Sequence, residues 1–246
     1  MKKERLDLLL VDQGLVSSRE KAKALIVAGR VLVDHQKVDK PGATVSAEAR
    51  LQVIAPLPYV SRGGVKLEGA LDALGVSPAG RVVMDVGAST GGFTDCVLKR
   101  GAKKVYAVDV GYGQLAWELR NDPRVVNLER TNIRYLERQA VEEEGVGLIL
   151  IDTSFISIEK FLPHLLQFLK EEGEVIGLIK PQFEVGKGEV GKGGVVKDPG
   201  LHQKVIDRIS VFSRGLGLCV LAVIESCLLG PKGNKEFFIH LKRMAL

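Results

Sequence analysis

The chain has 246 residues, 46% hydrophobic and 26% charged, the composition of an ordinary soluble protein with enough apolar material for one large domain or two small ones. Its three cysteines, Cys96, Cys219 and Cys227, show no Cys-x-x-Cys spacing, so neither a zinc site nor a disulfide framework is indicated; no run approaches the ~20 apolar residues of a membrane helix. The formal net charge of +5 permits a polyanionic partner without requiring one. The first sixteen residues lack the long apolar stretch and small-residue cleavage site of a secretion signal, so a cytoplasmic location and no membrane association are expected.

The first block spans about 5–55. Leu6, Leu9 and Leu10 fall at helical spacing and predict a helix over 5–13, stopped by Gly14. Ser17 and Ser18 can cap a second helix over 19–28 that stops at Gly29. Short strands are predicted at 30–33, 37–38 and 51–54, with a turn at 39–42. The basic residues include Arg5, Arg19, Lys21, Lys23, Arg30, Lys37 and Lys40. A solvated face and a phosphate-contacting stripe both account for them, since Lys, Arg and helix N-termini hold a nucleic-acid backbone.

The stretch RLDLLLVDQGLVSSREKAKALIVAGRVLVDHQKVDKPGATV resembles the S4 RNA-binding domain. Gly-Leu-Val-Ser-Ser-Arg and Ala-Leu-Ile-x-x-Gly carry the likeness, which covers nearly the whole block. The resemblance implies RNA contacts from Arg5, Ser18, Arg19, Lys21, Lys23, Arg30 and Lys37, with Arg62 added from the next block. Members often have Asn-Gly at the short turn where this chain has Asp34-His35, a departure that bears on turn type and leaves the fold in place.

Pro56-Leu57-Pro58 is expected to be a stiff connector, dividing a domain over 1–58 from one over 59–246. The second block alternates strands, predicted at 82–86, 104–108, 125–128, 148–151, 174–179, 219–224 and 236–240, with helices at 92–100, 114–119, 158–168 and 201–214. Such alternation predicts an α/β fold, a Rossmann-like parallel sheet covered on both faces. The last two strands form an antiparallel edge hairpin in that layout.

A hydrophobic strand ending in Asp85 runs into the Gly-rich turn Gly87, Ala88, Ser89, Gly91, Gly92 and Phe93, and the next strand ends in Asp109. Glycines there let backbone approach a ligand, and an acid at the second strand end accepts hydrogen bonds from ribose hydroxyls. The spacing is not Gly-x-Gly-x-x-Gly, which disfavours a pyrophosphate cofactor and favours S-adenosylmethionine, with Asn132 a weaker candidate for the adenine end. A plain strand–helix turn is the competing reading. The segment 186–193, GKGEVGKG, nearly matches a phosphate-binding loop but lacks the final Ser or Thr, so a mobile basic loop near an RNA path is expected instead.

Lys66 precedes the first strand, Asp152 and Lys180 end the fourth and fifth, and Glu236 begins the last. Taken singly, Lys66 and Glu236 read as surface charges. Together with the turn they resemble the FtsJ-like ribose 2′-O-methyltransferases, which use a Lys-Asp-Lys-Glu set in this order. The resemblance implies that these four are catalytic. A ribose hydroxyl is a very weak acid, and a lysine drawn out of water near other positive charge can accept its proton. Lys180 is assigned that role, Asp152 orients it, and Lys66 and Glu236 position the hydroxyl. No metal is required, and His35, His164, His202 and His240 show no ligand spacing.

The two domains together resemble the TlyA family, many of whose members carry the label haemolysin. This implies 2′-O-methylation of cytidine in ribosomal RNA, with ribosomal RNA or subunits as partner; oligomeric state is left open. The rivals are an RNA-binding protein with a decayed methyltransferase domain, and a cytolysin, for which no amphipathic insertion segment is present.

Overall fold

The computed structural model describes residues 3–54, 57–186 and 188–243; Pro56 of the expected connector and Lys187 of the basic loop lie outside them. Chain contacts divide the protein into two units at the 57/58 junction.

The first unit runs β1 (Lys3–Arg5), α1 (Leu6–Asp12), α2 (Arg19–Val27), β2 (Val31–Val33), β3 (Gln36–Lys37), β4 (Thr44–Ser46) and β5 (Leu51–Val53). Ser18 caps α2 by accepting the Lys21 amide at 3.3 Å, and Gly14 and Gly29 follow the helices with φ of 70° and 64°. Leu6, Leu10, Ala22, Ile26 and Val31 form a small core. The sheets are β3-β2-β5 and a separate β1-β4 pair. This pair was not expected: Lys-Glu-Arg has no apolar alternation to signal a strand. Asp34 and His35 both occupy the left-handed region, φ 48° and 66°, so the two-residue hairpin keeps the type I′ form that Asn-Gly supplies elsewhere. Asp34 is pinned there, its Oδ1 accepting the Arg50 amide at 2.9 Å.

The second unit comprises α3 (Arg62–Leu74), β6 (Val82–Val86), α4 (Gly92–Lys99), β7 (Lys104–Val108), α5 (Trp117–Arg120), β8 (Val125–Leu128), β9 (Val146–Ile151), α6 (Leu162–Leu165), β10 (Leu169–Ile179), α7 (Pro181–Glu184), α8 (Pro199–Gly215), β11 (Leu218–Glu225) and β12 (Phe237–Arg243). The sheet order is β11-β12-β10-β9-β6-β7-β8. β9, β6, β7 and β8 run parallel with β10, while β12 is antiparallel to both its neighbours. The closing hairpin therefore forms an edge, with β12 as its inner strand.

Alternation along each strand feeds two cores. Val83, Val105, Leu148, Leu150, Ile176 and Phe238 pack with α3 and α4 through Leu67, Leu71, Phe93 and Cys96. Met84, Tyr106, Ile149, Ile151 and Ile239 face the other way, onto Phe161, Leu162, Leu165, Val205 and Ile209. A sheet buried on both faces keeps its chemistry for the strand ends, where the backbone leaves the core.

Two expected helices are shorter. Instead of one helix over 158–168, a single 3₁₀ turn precedes α6, with a break at Phe161 (φ −138°); Pro163 cannot sit inside a continuous helix. In place of a helix over 114–119, the chain loops through Gly113 (φ 70°) before α5.

Candidate active site

The carboxyl ends of β6, β7, β9 and β10 frame two adjoining hollows. The first, about 300 Å³, is lined by Ser61, Lys66, Asp85, Asp152, Lys180 and Glu236, with the 87–93 turn along one wall. The second, about 420 Å³, is lined by Asp109, Gln114, Asn132, Ile133, Phe155 and Phe161. Gly87, Ser89, Asp152 and Ser154 belong to both.

Four charged residues from distant parts of the chain meet in the first hollow as two pairs. Lys66 Nζ lies 2.6 Å from Glu236 Oε2, and both side chains are almost fully buried. Lys180 Nζ lies 2.7 Å from Asp152 Oδ1 and donates to Ser154 Oγ at 3.1 Å. Burial pushes the Asp152 carboxyl above its ordinary range, against the opposing pull of Lys180. Asp152 and Lys180 directly follow β9 and β10, and Glu236 directly precedes β12 rather than belonging to it. Lys66 sits on the buried face of α3, which Ser61 caps by accepting the Gly63 amide.

Behind this hollow Asp85 is fully buried. Its Oδ2 accepts the Thr94 amide at 3.0 Å and the Thr94 hydroxyl at 2.7 Å, while Oδ1 has no partner. Burial pushes its carboxyl up to about 7, partly offset by Thr94 and reinforced by Asp152. A buried oxygen left unpaired at a pocket wall is a costly arrangement that a ligand donor would relieve. The turn above it is shaped by Gly87, whose φ is 89° and whose place admits no side chain: a Cβ would stand 2.8 Å from the Asp152 carbonyl. In the second hollow Asp109 accepts the amides of Ser89 (2.8 Å) and Gly111 (2.7 Å). Each carboxylate oxygen retains a free lone pair for a hydroxyl. Asn132 Oδ1 accepts the Arg134 amide, leaving its NH₂ group as the donor. This set, an unpaired acid, a turn with glycine at its closest approach and a hydroxyl acceptor, fits an adenosyl amino acid.

The FtsJ-like methyltransferase family matches residues 59–243, and the S4 domain matches residues 4–51. The 16S/23S rRNA (cytidine-2′-O)-methyltransferase TlyA of Mycobacterium tuberculosis is 47% identical over 243 residues, 98% of this chain and 90% of that protein. The chain belongs to the TlyA family. Hemolysin A of Brachyspira hyodysenteriae is 40% identical over 96% of this chain and 98% of its own length. A solved structure from Streptococcus thermophilus, also named a hemolysin, has 42% identity and a TM-score of 0.77, covering 99% of this chain and 90% of its own.

Within this TlyA-family fold the residues expected to contact RNA are differently placed. Arg5 and Arg19 converge on Asp7, a fully buried carboxylate, with their Nε atoms 3.0 and 2.9 Å from its oxygens; the two guanidiniums hold that carboxyl far below its usual range. Ser18 serves as the α2 cap, and Lys21 donates to Ser17 Oγ at 3.0 Å. Lys23 and Lys37 are exposed and Arg30 is half-buried. Arg62 is exposed at the first hollow, donating to the Leu229 carbonyl at 3.1 Å. In the basic loop, Gly191 bridges Val195 across a tight turn instead of starting a helix.

Several residues at the site went unnoticed in the sequence. Thr94 holds Asp85, and Ser154 holds Lys180; single hydroxyls carry no pattern to find them by. Asn234, 2% exposed, accepts the Val196 amide and donates to the Gly194 and Pro231 carbonyls. It thereby ties the basic loop to the segment that carries Glu236. Phe155 combines a φ of 65° with 88% exposure and packs against Phe183. Strain of this kind collects at functional sites and is invisible in sequence.

Proposed function

We propose that this protein methylates the ribose 2′-hydroxyl of a nucleotide, cytidine by analogy with its relatives, in ribosomal RNA, using S-adenosylmethionine. The supporting observation is the meeting of Lys66–Glu236 and Lys180–Asp152 in one hollow that adjoins a second, adenosine-sized one. Asp109 would hold the ribose of the methyl donor and Asn132 its adenine. Asp85, with Gly87, Ala88, Ser89, Gly91, Gly92 and Phe93, would hold the methionine end. When bound, S-adenosylmethionine supplies an activated methyl group on a sulfonium.

Lys180 is the group suited to hold and remove the hydroxyl proton, its nitrogen fixed between Asp152 and Ser154. Asp152 lines both hollows, so its charge serves a cation on either side. Lys66 and Glu236 lock one another and present a rigid polar wall against which the hydroxyl aligns; alignment supplies much of the acceleration in a displacement. The S4 unit would grip the RNA through Arg5, Ser18, Arg19, Lys21, Lys23, Arg30 and Lys37, with Arg62 at the mouth of the hollow. Among the described residues no helix is long and apolar enough to cross a membrane.

Mass-spectrometric mapping of ribosomal RNA 2′-O-methylation, with and without the protein, tests the proposal. A methylated ribose that vanishes when the gene is deleted is the expected result. An identical map, together with no heat of binding for S-adenosylmethionine, would leave only an RNA-binding protein.

A further inference from the structure

The chain has one tryptophan and four tyrosines. Tyr59 and Tyr106 are buried in the second unit, but Trp117 is 76%, Tyr135 75% and Tyr112 67% exposed. Tyr112 stands on the loop after β7, Trp117 at the start of α5 and Tyr135 in a 3₁₀ turn after β8, on the flank of the second hollow away from the two lysine–acid pairs. The loops are stitched together: the Arg130 amide donates to the Gly111 carbonyl, the Thr131 amide to the Asp109 carbonyl, and Arg120 pairs with Glu129 at 2.6 Å.

Two arginines are interleaved with the rings. Arg130 lies 4.0 Å over the centre of Tyr112 and Arg134 lies 5.4 Å over Tyr135. Both are exposed, and no ion pair engages either of them among the described residues. Large aromatic rings cost free energy when left in water, and guanidiniums free of ion pairs beside them put positive charge among the rings. A hydrophobic protein partner calls for aliphatic side chains around the rings; here only Val110, 70% exposed, is of that kind. Flat rings alternating with arginines suit ligands that offer π-faces and negative charge together, which are unstacked nucleotides.

We infer that this rim is a stacking surface for unpaired bases of the RNA substrate, separate from the S4 unit and from the hollow that would receive the target ribose. The inference rests on the proposed RNA-methylation reading and adds a second contact to it. Fixed at the edge of the donor's hollow, the rim holds flanking nucleotides after they leave a helix.

Trp117, as the only tryptophan, reports on the contact directly. The full-length protein is titrated with a single-stranded RNA of about 12 nucleotides, within the span such surfaces cover, and with a blunt RNA duplex of the same length. Trp117 fluorescence is expected to quench with the single strand and not with the duplex. Tyr112→Ala and Tyr135→Ala keep the reporter and are each expected to weaken single-strand binding at least about fivefold, the factor equal to ~1 kcal/mol for one stacked base. No quenching by the single strand, or equal quenching by the duplex, overturns the inference. Methyl transfer is read in parallel with ribosomal RNA from a strain lacking the gene: quenching by the single strand without transfer to ribosomal RNA removes the enzymatic reading alone, and transfer without quenching removes the stacking surface alone.

Discussion

Acid–base pairs gather at both ends of the seven-stranded sheet, yet they live in different surroundings. At the carboxyl end, the side chains of Lys66 and Glu236 are 10% and 0% exposed. At the amino end, Lys170–Glu144 and Lys242–Glu172 leave their acids 83% and 89% exposed. Water screens the second group, so each pair is worth at most about 1 kcal/mol. The buried pair has given up the hydration of both ions, a cost that its attraction only roughly repays. Apolar residues would fill that space at no loss of stability. What separates these pairs is therefore water: Lys170–Glu144 and Lys242–Glu172 solvate a surface, and Lys66–Glu236 keeps its charge inside the first hollow.

Substitutions can break or sharpen this contrast. The largest effect is expected from Lys180→Ala, which should lower methyl transfer by about 10²–10⁴-fold while calorimetric binding of S-adenosylmethionine stays near the wild-type value. Wild-type turnover in that variant would remove Lys180 from the chemistry. Next, Glu236→Ala strands the Lys66 ammonium in the interior and should cost about 3 kcal/mol in denaturant unfolding. The double variant Lys66→Met/Glu236→Leu should recover most of that stability and still fail to methylate. Recovery of both would make the pair structural.

Asp85 offers a pH-dependent effect. Its carboxyl titrates at about 7 when folded, against 3.8 ordinarily. Between those values the unfolded chain releases this proton and the folded one keeps it, so the contribution to stability falls as pH rises from about 4 to about 7 and is level above. Asp85→Asn should remove that slope and gain up to about 4 kcal/mol at pH 8. Parallel melting curves of variant and wild type across the window would contradict the buried, unpaired oxygen. The smallest change belongs to the amino end, where Lys170→Ala and Lys242→Ala should each move unfolding by less than about 0.5 kcal/mol. A loss like that of Glu236→Ala would erase the contrast.

Strands whose apolar runs end on a charged or polar residue were legible to the residue: Val82–Val86, Lys104–Val108 and Val125–Leu128 coincide with the sequence reading. Long-range pairing was not. Nothing local in Lys3–Arg5 indicates that it meets Thr44–Ser46, and nothing at Pro163 shows how far a helix survives on either side. At the site, family resemblance supplied the residue types, whereas partners were hidden. That Lys66 chooses Glu236, 170 positions away, is a property of the sheet order. The burial of Asp7 beneath Arg5 and Arg19, which stay 47% and 43% exposed, likewise ties two surface cations into one fixed cluster.

The four residues common to both hollows, Gly87, Ser89, Asp152 and Ser154, make the partition between them thin. A single small molecule could therefore occupy the two compartments at once, with an adenosine head on one side and a tethered ribose on the other. Such a bridged inhibitor would draw affinity from both compartments through one short linker.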